Sequence, residues 1–220
     1  MKASKVWAII PAYNEEASIR QVIEKAMDYA ENIIVVDDGS ADKTSLAAGK
    51  TKAHVLKHVV NLGKGAALKT GCDYALRQGA EAMVVLDADA QHDPSEIPKF
   101  VAQLEAHDIV FGYRKYNKAM PWILKFGNKA INSATRILYG IRLQDTQCGY
   151  RAFTAEAYRK IRWQASDYSM ESEMITRAGK NKLSYAEVPI ETIYGNKYKG
   201  TTVLDGIKIV FNLLWWRWSK

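Results

Sequence analysis

The stretch Val84-Val85-Leu86-Asp87-Ala88-Asp89-Ala90-Gln91-His92 decides the fold. An apolar run stops abruptly at two carboxylates spaced i, i+2. A short apolar run bounded by polar residues reads as a buried strand of a parallel sheet. At an extended strand end, i and i+2 project to the same side, so Asp87 and Asp89 are expected to face one point, with Gln91 next in the series. Two like charges that close repel, and a cation between them removes the repulsion. An all-oxygen donor set suits Mg²⁺ or Mn²⁺. Mg²⁺ characteristically takes one or two carboxylates and completes its sphere with substrate phosphates. The competing reading is a pair of solvated loop aspartates or helix caps, and the surrounding chain discriminates between the two.

Upstream, Val6 to Ile10 reads as a first strand stopped by Pro11. Residues Glu15 to Ala30 place Ile19, Val22, Ile23, Ala26 and Met27 on one helical face. Ile33 to Val36 is a second strand ending in Asp37-Asp38-Gly39-Ser40. A short helix over residues 43–50 follows, with Asp42 as its N-cap. Val55 to Val59 is a third strand. Asn61-Leu62-Gly63-Lys64-Gly65 opens a helix that runs to Gln78, with Gly79 as its stop. Ala82 to Leu86 is the fourth strand, Pro94 to Ala106 a helix, and Ile109 to Gly112 a fifth strand. Alternating strands and helices with short connections predict an α/β fold, a mostly parallel sheet with helices on both faces. Ligands bind such sheets beyond the carboxyl ends of the strands. Three polar signatures stand at three such ends: Pro11-Ala12-Tyr13-Asn14-Glu15, Asp37-Asp38-Gly39-Ser40 and Asp87-Ala88-Asp89. Scattered loop acids would not keep landing there.

The alternation breaks after Gly112. Residues 119–139 mix Trp122, Ile123, Leu124, Phe126, Ile131, Ile137 and Leu138 with Lys125, Lys129 and Arg136, the pattern of amphipathic helices. Asp145-Thr146-Gln147-Cys148-Gly149-Tyr150-Arg151 reads as a polar turn, followed by helices over residues 156–162 and 169–179. Ser184 to Ile190 is a late strand that Pro189 confines to an edge or a strand end. The chain closes with a Trp-rich amphipathic helix over residues 203–220.

The 220 residues suffice for one large domain, expected over residues 1–202. A formal net charge of +7 favours an anionic partner: phosphate, nucleic acid or an anionic membrane surface. Two cysteines, Cys72 and Cys148, stand in no metal-ligand spacing and fit a reducing compartment. Met1 to Lys5 lacks a signal-peptide pattern, and no run reaches the length of a transmembrane helix.

Taken together, the five polar motifs resemble those of inverting family 2 glycosyltransferases with the GT-A, Rossmann-like fold, in their dolichyl/polyprenyl-phosphate sugar transferase branch. The resemblance runs from Val6 to about Gly200, and Asp145 to Arg151 is its most branch-specific part. It implies a nucleotide-diphosphate sugar donor (GDP-mannose or a UDP-hexose) and a dolichyl or polyprenyl phosphate acceptor. By the same resemblance, Pro11, Tyr13 and Glu15 cradle the nucleotide, while Val35 and Asp37 meet its base and ribose. Asp87, Ala88, Asp89 and Gln91 border the metal-diphosphate, with Asp87, Asp89 and Gln91 as metal positions. Asp89 and Arg114 carry the chemistry, Arg114 and Lys125 meet the acceptor phosphate, and Lys199 closes over the donor. Lys125 departs from the family's usual arginine and loses its bidentate geometry. Cys148 is read as a packed residue, and His92 as a solvated loop residue or else a group standing behind the site. Glu171 and Glu173 are candidates for a general base or else surface or capping residues, and Asp38 is a helix cap in one of two open readings. Lys64 is either functional or a solvated helix-start lysine.

A lipid acceptor implies a peripheral enzyme on the cytoplasmic face of a membrane, with residues 119–139 and 203–220 at the interface. Those segments would otherwise pack internally, or meet a second copy or a membrane-protein partner. Two other functions compete. One is a family 2 transferase using a soluble or cell-wall sugar hydroxyl, which needs a carboxylate base near the acceptor. The other is a basic nucleic-acid-binding module, disfavoured because carboxylates at the strand ends would repel phosphate.

Overall fold

The computed structural model describes residues 5–114, 132–133, 135–191 and 215. Seven strands form one sheet in the order β3-β2-β1-β4-β6-β5-β7. They are β1 (Val6–Ala12), β2 (Asn32–Asp37), β3 (His54–Lys57), β4 (Ala82–Val85), β5 (Ile109–Arg114), β6 (Arg151–Thr154) and β7 (Tyr185–Ile190). The principal helices among the described residues are α1 (Ile19–Ala26), α2 (Thr44–Gly49), α3 (Lys64–Arg77), α4 (Ile97–Gln103), α5 (Ala155–Ile161) and α6 (Met170–Lys180).

Strands β1 to β4 pair in parallel, and so do β5 and β7. The exception is β6, antiparallel to both β4 and β5. Two antiparallel steps restore direction, so the carboxyl ends of β1, β2, β4 and β5 share one edge of the sheet. The amino end of β6 joins them there, which carries the Asp145–Arg151 segment to the same edge. The mostly parallel sheet is as expected; the antiparallel insertion of β6 is not, because a four-residue strand beginning with arginine reads locally as the tail of a turn.

Burial follows strand alternation. On β1, Trp7 and Ile9 join the core under α3, α5 and α6, while Val6, Ala8 and Ile10 join the core under α1, α2 and α4. Two cores thus sandwich the sheet, and its inner strands are apolar on both sides. Strand β1 runs through Pro11 to Ala12 rather than stopping before the proline. The ladder to β4 ends at Ile9 and Val85. Pro11 faces that same side one pair further on, so its missing N–H interrupts no bond to β4. Gly79 ends α3 as expected, with φ +86°. Edge position β7 accommodates Pro189, also as expected.

Candidate functional site

Strand β4 ends at Val85, and the chain turns immediately, with Ala90 in the left-handed region at φ 60°. The two aspartates are therefore set by a turn, not by an extended strand end. Leu86 and Ala88 point into the core, leaving Asp87 and Asp89 at the crevice. Asp89 accepts a 3.0 Å bond from the Gln91 backbone N–H. Burial raises the Asp89 carboxyl above its ordinary value, and the negative charge of Asp87 adds to this. Burial pushes Asp87 up too, but Lys64 and His92 outweigh it and leave Asp87 at about 2.

Lys64, the first residue of α3, lies 2.7 Å from Asp87 Oδ1 and 3.0 Å from Glu171 Oε1. Its side chain is only 15% exposed, so it is no solvated lysine. Glu171, at the start of α6, is 3% exposed and is not a surface residue. Glu173 is buried as well: its carboxylate accepts from the backbone N–H groups of Gln164 and Ala165 and pairs with Arg177. His92 corrects another expectation. It is 6% exposed, its ring lies 5.4 Å from that of Tyr150, and Nδ1 sits 3.6 Å from Asp87 Oδ2 with no hydrogen-bond partner. Gly149 closes over this group. A Cβ there would lie 2.7 Å from Asp87 Oδ2 and 2.9 Å from Lys64 Nζ.

The first two strand-end signatures are sewn to each other. Asn14 N–H donates to Ser40 Oγ (2.9 Å), Ala41 N–H to Asn14 Oδ1 (2.9 Å) and Glu15 N–H to Thr44 Oγ1 (2.8 Å). Pro11 is buried, Tyr13 is 47% exposed at the rim, and Glu15 is half-buried. Val35 is wholly within the core. Asp37, expected to meet base and ribose, is fully buried, and its oxygens accept from Ser40 N–H (2.9 Å) and from the Ser45 hydroxyl. Burial raises this carboxyl, but those bonds outweigh it and hold Asp37 below its ordinary range. Asp37 therefore shapes the turn. Asp38 is no mere helix cap: it accepts from Leu62 N–H (2.9 Å) and Gly63 N–H (2.8 Å) and lies 2.7 Å from His58 Nδ1. It thereby fixes the loop that delivers Lys64.

Arg114, at the end of β5, makes a bidentate pair with Asp145 at 2.7 and 3.1 Å. Its charge also acts on Asp87 and His92. Buried Arg151 donates to the carbonyls of Cys148, Glu171 and Thr146 at 3.0, 2.7 and 2.8 Å, tying the Asp145–Arg151 segment to α6. Cys148 is packed as expected, and burial pushes its thiol up to about 12. Lys125, Lys199, residues 119–131 and 134, and all of residues 203–220 except 215 lie outside the described residues.

Asp89 and Asp87 repel, and the repulsion contributes to the raised Asp89 carboxyl; a cation between them relieves both. No group of three His, Cys, Asp or Glu side chains forms a ready-made cage among the described residues. A hard cation here takes its remaining ligands from water and phosphate, which is how Mg²⁺ is characteristically held. The residues fit such an ion.

The sequence matches the profile of Glycosyl transferase family 2 over residues 7–162. It is 36% identical, over 98% of this chain and 97% of the relative, to the UDP-N-acetylglucosamine–dolichyl-phosphate N-acetylglucosaminyltransferase of Methanococcus voltae. It is 31% identical, over 91% of this chain and 81% of the relative, to the polyprenol monophosphomannose synthase of Mycolicibacterium smegmatis. Among solved structures, glucosyl-3-phosphoglycerate synthase from Mycobacterium tuberculosis, in complex with Mn²⁺, UDP and phosphoglyceric acid, superposes with a TM-score of 0.76 at 21% identity. That superposition covers 97% of this chain and 78% of the other, and it shows the glycosyltransferase GT-A fold. By profile, relatives and architecture together, the chain belongs to glycosyl transferase family 2.

Proposed function

We propose that the protein is an inverting glycosyltransferase that moves a hexose from a nucleotide-diphosphate sugar to dolichyl or polyprenyl phosphate. The observation that carries this reading is the joint presence, at one sheet edge, of the Asp87/Asp89 pair and of Arg114 held by Asp145. The carboxylate pair suits a metal-bound diphosphate, and the arginine suits a second phosphate. The lipid-phosphate acceptors in the names of the two relatives support the same assignment.

In this reading Pro11 to Glu15 border the nucleotide, with Tyr13 exposed at the rim to meet its base. Asp37 acts through the turn it builds. Asp87, Asp89 and Gln91 would hold the divalent ion, with Ala88 buried between the aspartates. Lys199 closes over the donor, and Arg114 and Lys125 orient the acceptor. A bound Mg²⁺ or Mn²⁺ supplies Lewis-acid neutralisation of the departing diphosphate. The acceptor phosphate oxygen attacks the anomeric carbon in line. A new carbon–oxygen bond forms, the bond to the diphosphate breaks, and the nucleoside diphosphate leaves with the bonding pair. A phosphate monoester is largely ionised at neutral pH, its second pKa being about 6, so the nucleophile arrives without needing a base. The buried acids agree with that: Glu171 is held by Lys64, and Glu173 by two backbone N–H groups and Arg177. A hydroxyl acceptor would require a free carboxylate instead.

The enzyme works peripherally on the cytoplasmic face of a membrane, as one catalytic domain over residues 1–202 with a C-terminal interfacial helix over residues 203–220. Among the described residues no helix is long and apolar enough to cross a membrane. To test the activity, radiolabelled GDP-mannose, UDP-glucose and UDP-N-acetylglucosamine are each incubated with dolichyl or undecaprenyl phosphate and Mg²⁺ or Mn²⁺. Label in the organic phase for one donor is expected; label in none overturns the reading.

A further inference from the structure

Lys64 has no part in the proposed mechanism, yet it lies half-buried between two carboxylates of the crevice. Its ammonium touches Asp87 at 2.7 Å and Glu171 at 3.0 Å, and lies 5.6 Å from the Tyr168 ring centre. It is held at both ends. Its backbone begins α3 directly after the loop that Asp38 fixes through Leu62 and Gly63. Its partner Glu171 sits in the first turn of α6, whose Glu171 carbonyl accepts from buried Arg151. Gly149 packs so close that any side chain there would meet both the ammonium and the Asp87 carboxylate. This lysine is therefore a built-in counter-cation pressed against an oxygen of the very carboxylate that a metal would use.

We propose that Lys64 is a specificity-determining residue that makes the Asp87/Asp89 site refuse a bare divalent cation and accept it only together with a diphosphate. The inference rests on the donor-site reading above. A dication approaching Asp87 alone meets a fixed positive charge within a few ångströms, and in a half-buried crevice that repulsion is weakly screened. A nucleotide diphosphate reverses the balance: its negative oxygens face the dication and the ammonium at once. Metal and nucleotide then bind with strong mutual favour, and by linkage each raises the affinity for the other equally. Glu171 sets the strength of the device. It holds the ammonium in place, and its own charge partly offsets the positive field.

The test reads binding, not sugar transfer. Free Mn²⁺ is followed by electron paramagnetic resonance while full-length wild type, Lys64→Met and Glu171→Gln are titrated, alone and with saturating UDP or GDP. Wild type is expected to bind Mn²⁺ alone at least tenfold more weakly than with one of the nucleotides. Lys64→Met is expected to bind Mn²⁺ alone at least tenfold more tightly than wild type and to lose most of the nucleotide's enhancement. Glu171→Gln is expected to bind Mn²⁺ alone several-fold more weakly. Lys64→Met that is folded by circular dichroism yet binds Mn²⁺ alone no more tightly than wild type overturns the proposal. So does wild type with no nucleotide enhancement. Where Lys64→Met does not fold, Glu171→Gln decides: Mn²⁺ affinity equal to or above wild type overturns it. A wrong activity assignment shows separately, as absent lipid labelling by wild type.

Discussion

Asp87 and Asp89 are two residues apart, yet they sit in opposite electrostatic situations. Asp87 is held at about 2, because Lys64 and His92 outweigh its burial. Asp89 is raised by burial and by its neighbour's charge. Substituting each by asparagine in the metal-free protein therefore moves stability in opposite directions. Asp89→Asn removes a disfavoured charge and keeps an acceptor for the Gln91 N–H. Its melting temperature is expected to rise on the order of 2 °C. Asp87→Asn removes a charge-assisted bond and is expected to cost about 2 kcal/mol. Differential scanning calorimetry of both variants checks this, and a shift of the same sign in both contradicts it. Asp89→Ala is expected to lower sugar transfer at least 100-fold, in line with removal of a group that stabilises developing charge. Near-normal turnover would remove Asp89 from the mechanism.

Among elements, the turn carrying Gly149 passes so close to Asp87 that a Cβ there would lie 2.7 Å from its Oδ2. The three atoms nearest a methyl at Gly149 are side-chain ends of Asp87 and Lys64, not backbone. Gly149→Ala is thus expected to fold, with a melting temperature within a few degrees of wild type, while transfer drops at least tenfold. Loss of folding, or full activity, contradicts that placement. A second junction sits far from the chemistry: Asp73 on α3 makes a bidentate pair with Arg162, just past α5, at 2.9 and 2.7 Å, and accepts from the Tyr158 hydroxyl at 2.7 Å. Burial raises the Asp73 carboxyl, but these partners outweigh it and hold the group below its ordinary value near 3.8. A depressed acid contributes stability above its unfolded pKa and loses it as pH falls toward the folded value. The stability lost in Asp73→Asn is therefore expected to be full at pH 7 and to shrink steadily below about pH 4. Urea titrations at both pH values measure it; a pH-independent difference contradicts it.

At the scale of the molecule, legibility in the sequence tracked distance along the chain. The parallel strands are readable because each is a local apolar run, and the ends of β2 and β4 are readable because Asp37 and Asp87 interrupt those runs, whereas β1 continues through Pro11. Strand β6 is not readable, since Arg151-Ala152-Phe153-Thr154 shows no apolar run of its own and becomes a strand only between β4 and β5. The ion pair of Lys64 with Glu171 spans 107 positions, and nothing local to either residue announces it. His92 was hidden for the same reason: Tyr150, which covers it, arrives from a distant turn. Both flanking amphipathic segments belong to this scale as well. Removing residues 203–220 is expected to reduce flotation of the protein with anionic liposomes several-fold; equal flotation would return that segment to a role in protein packing.

The most direct measurement of the central claim compares two acceptors that differ by one group. Wild-type protein, Mn²⁺ and the productive labelled nucleotide sugar are incubated with a polyprenyl phosphate or with the corresponding polyprenol. Labelled lipid is expected with the phosphate and at most background with the alcohol, because an already ionised phosphate needs no base. Labelling of the polyprenol at a comparable rate, or of neither lipid, would contradict it.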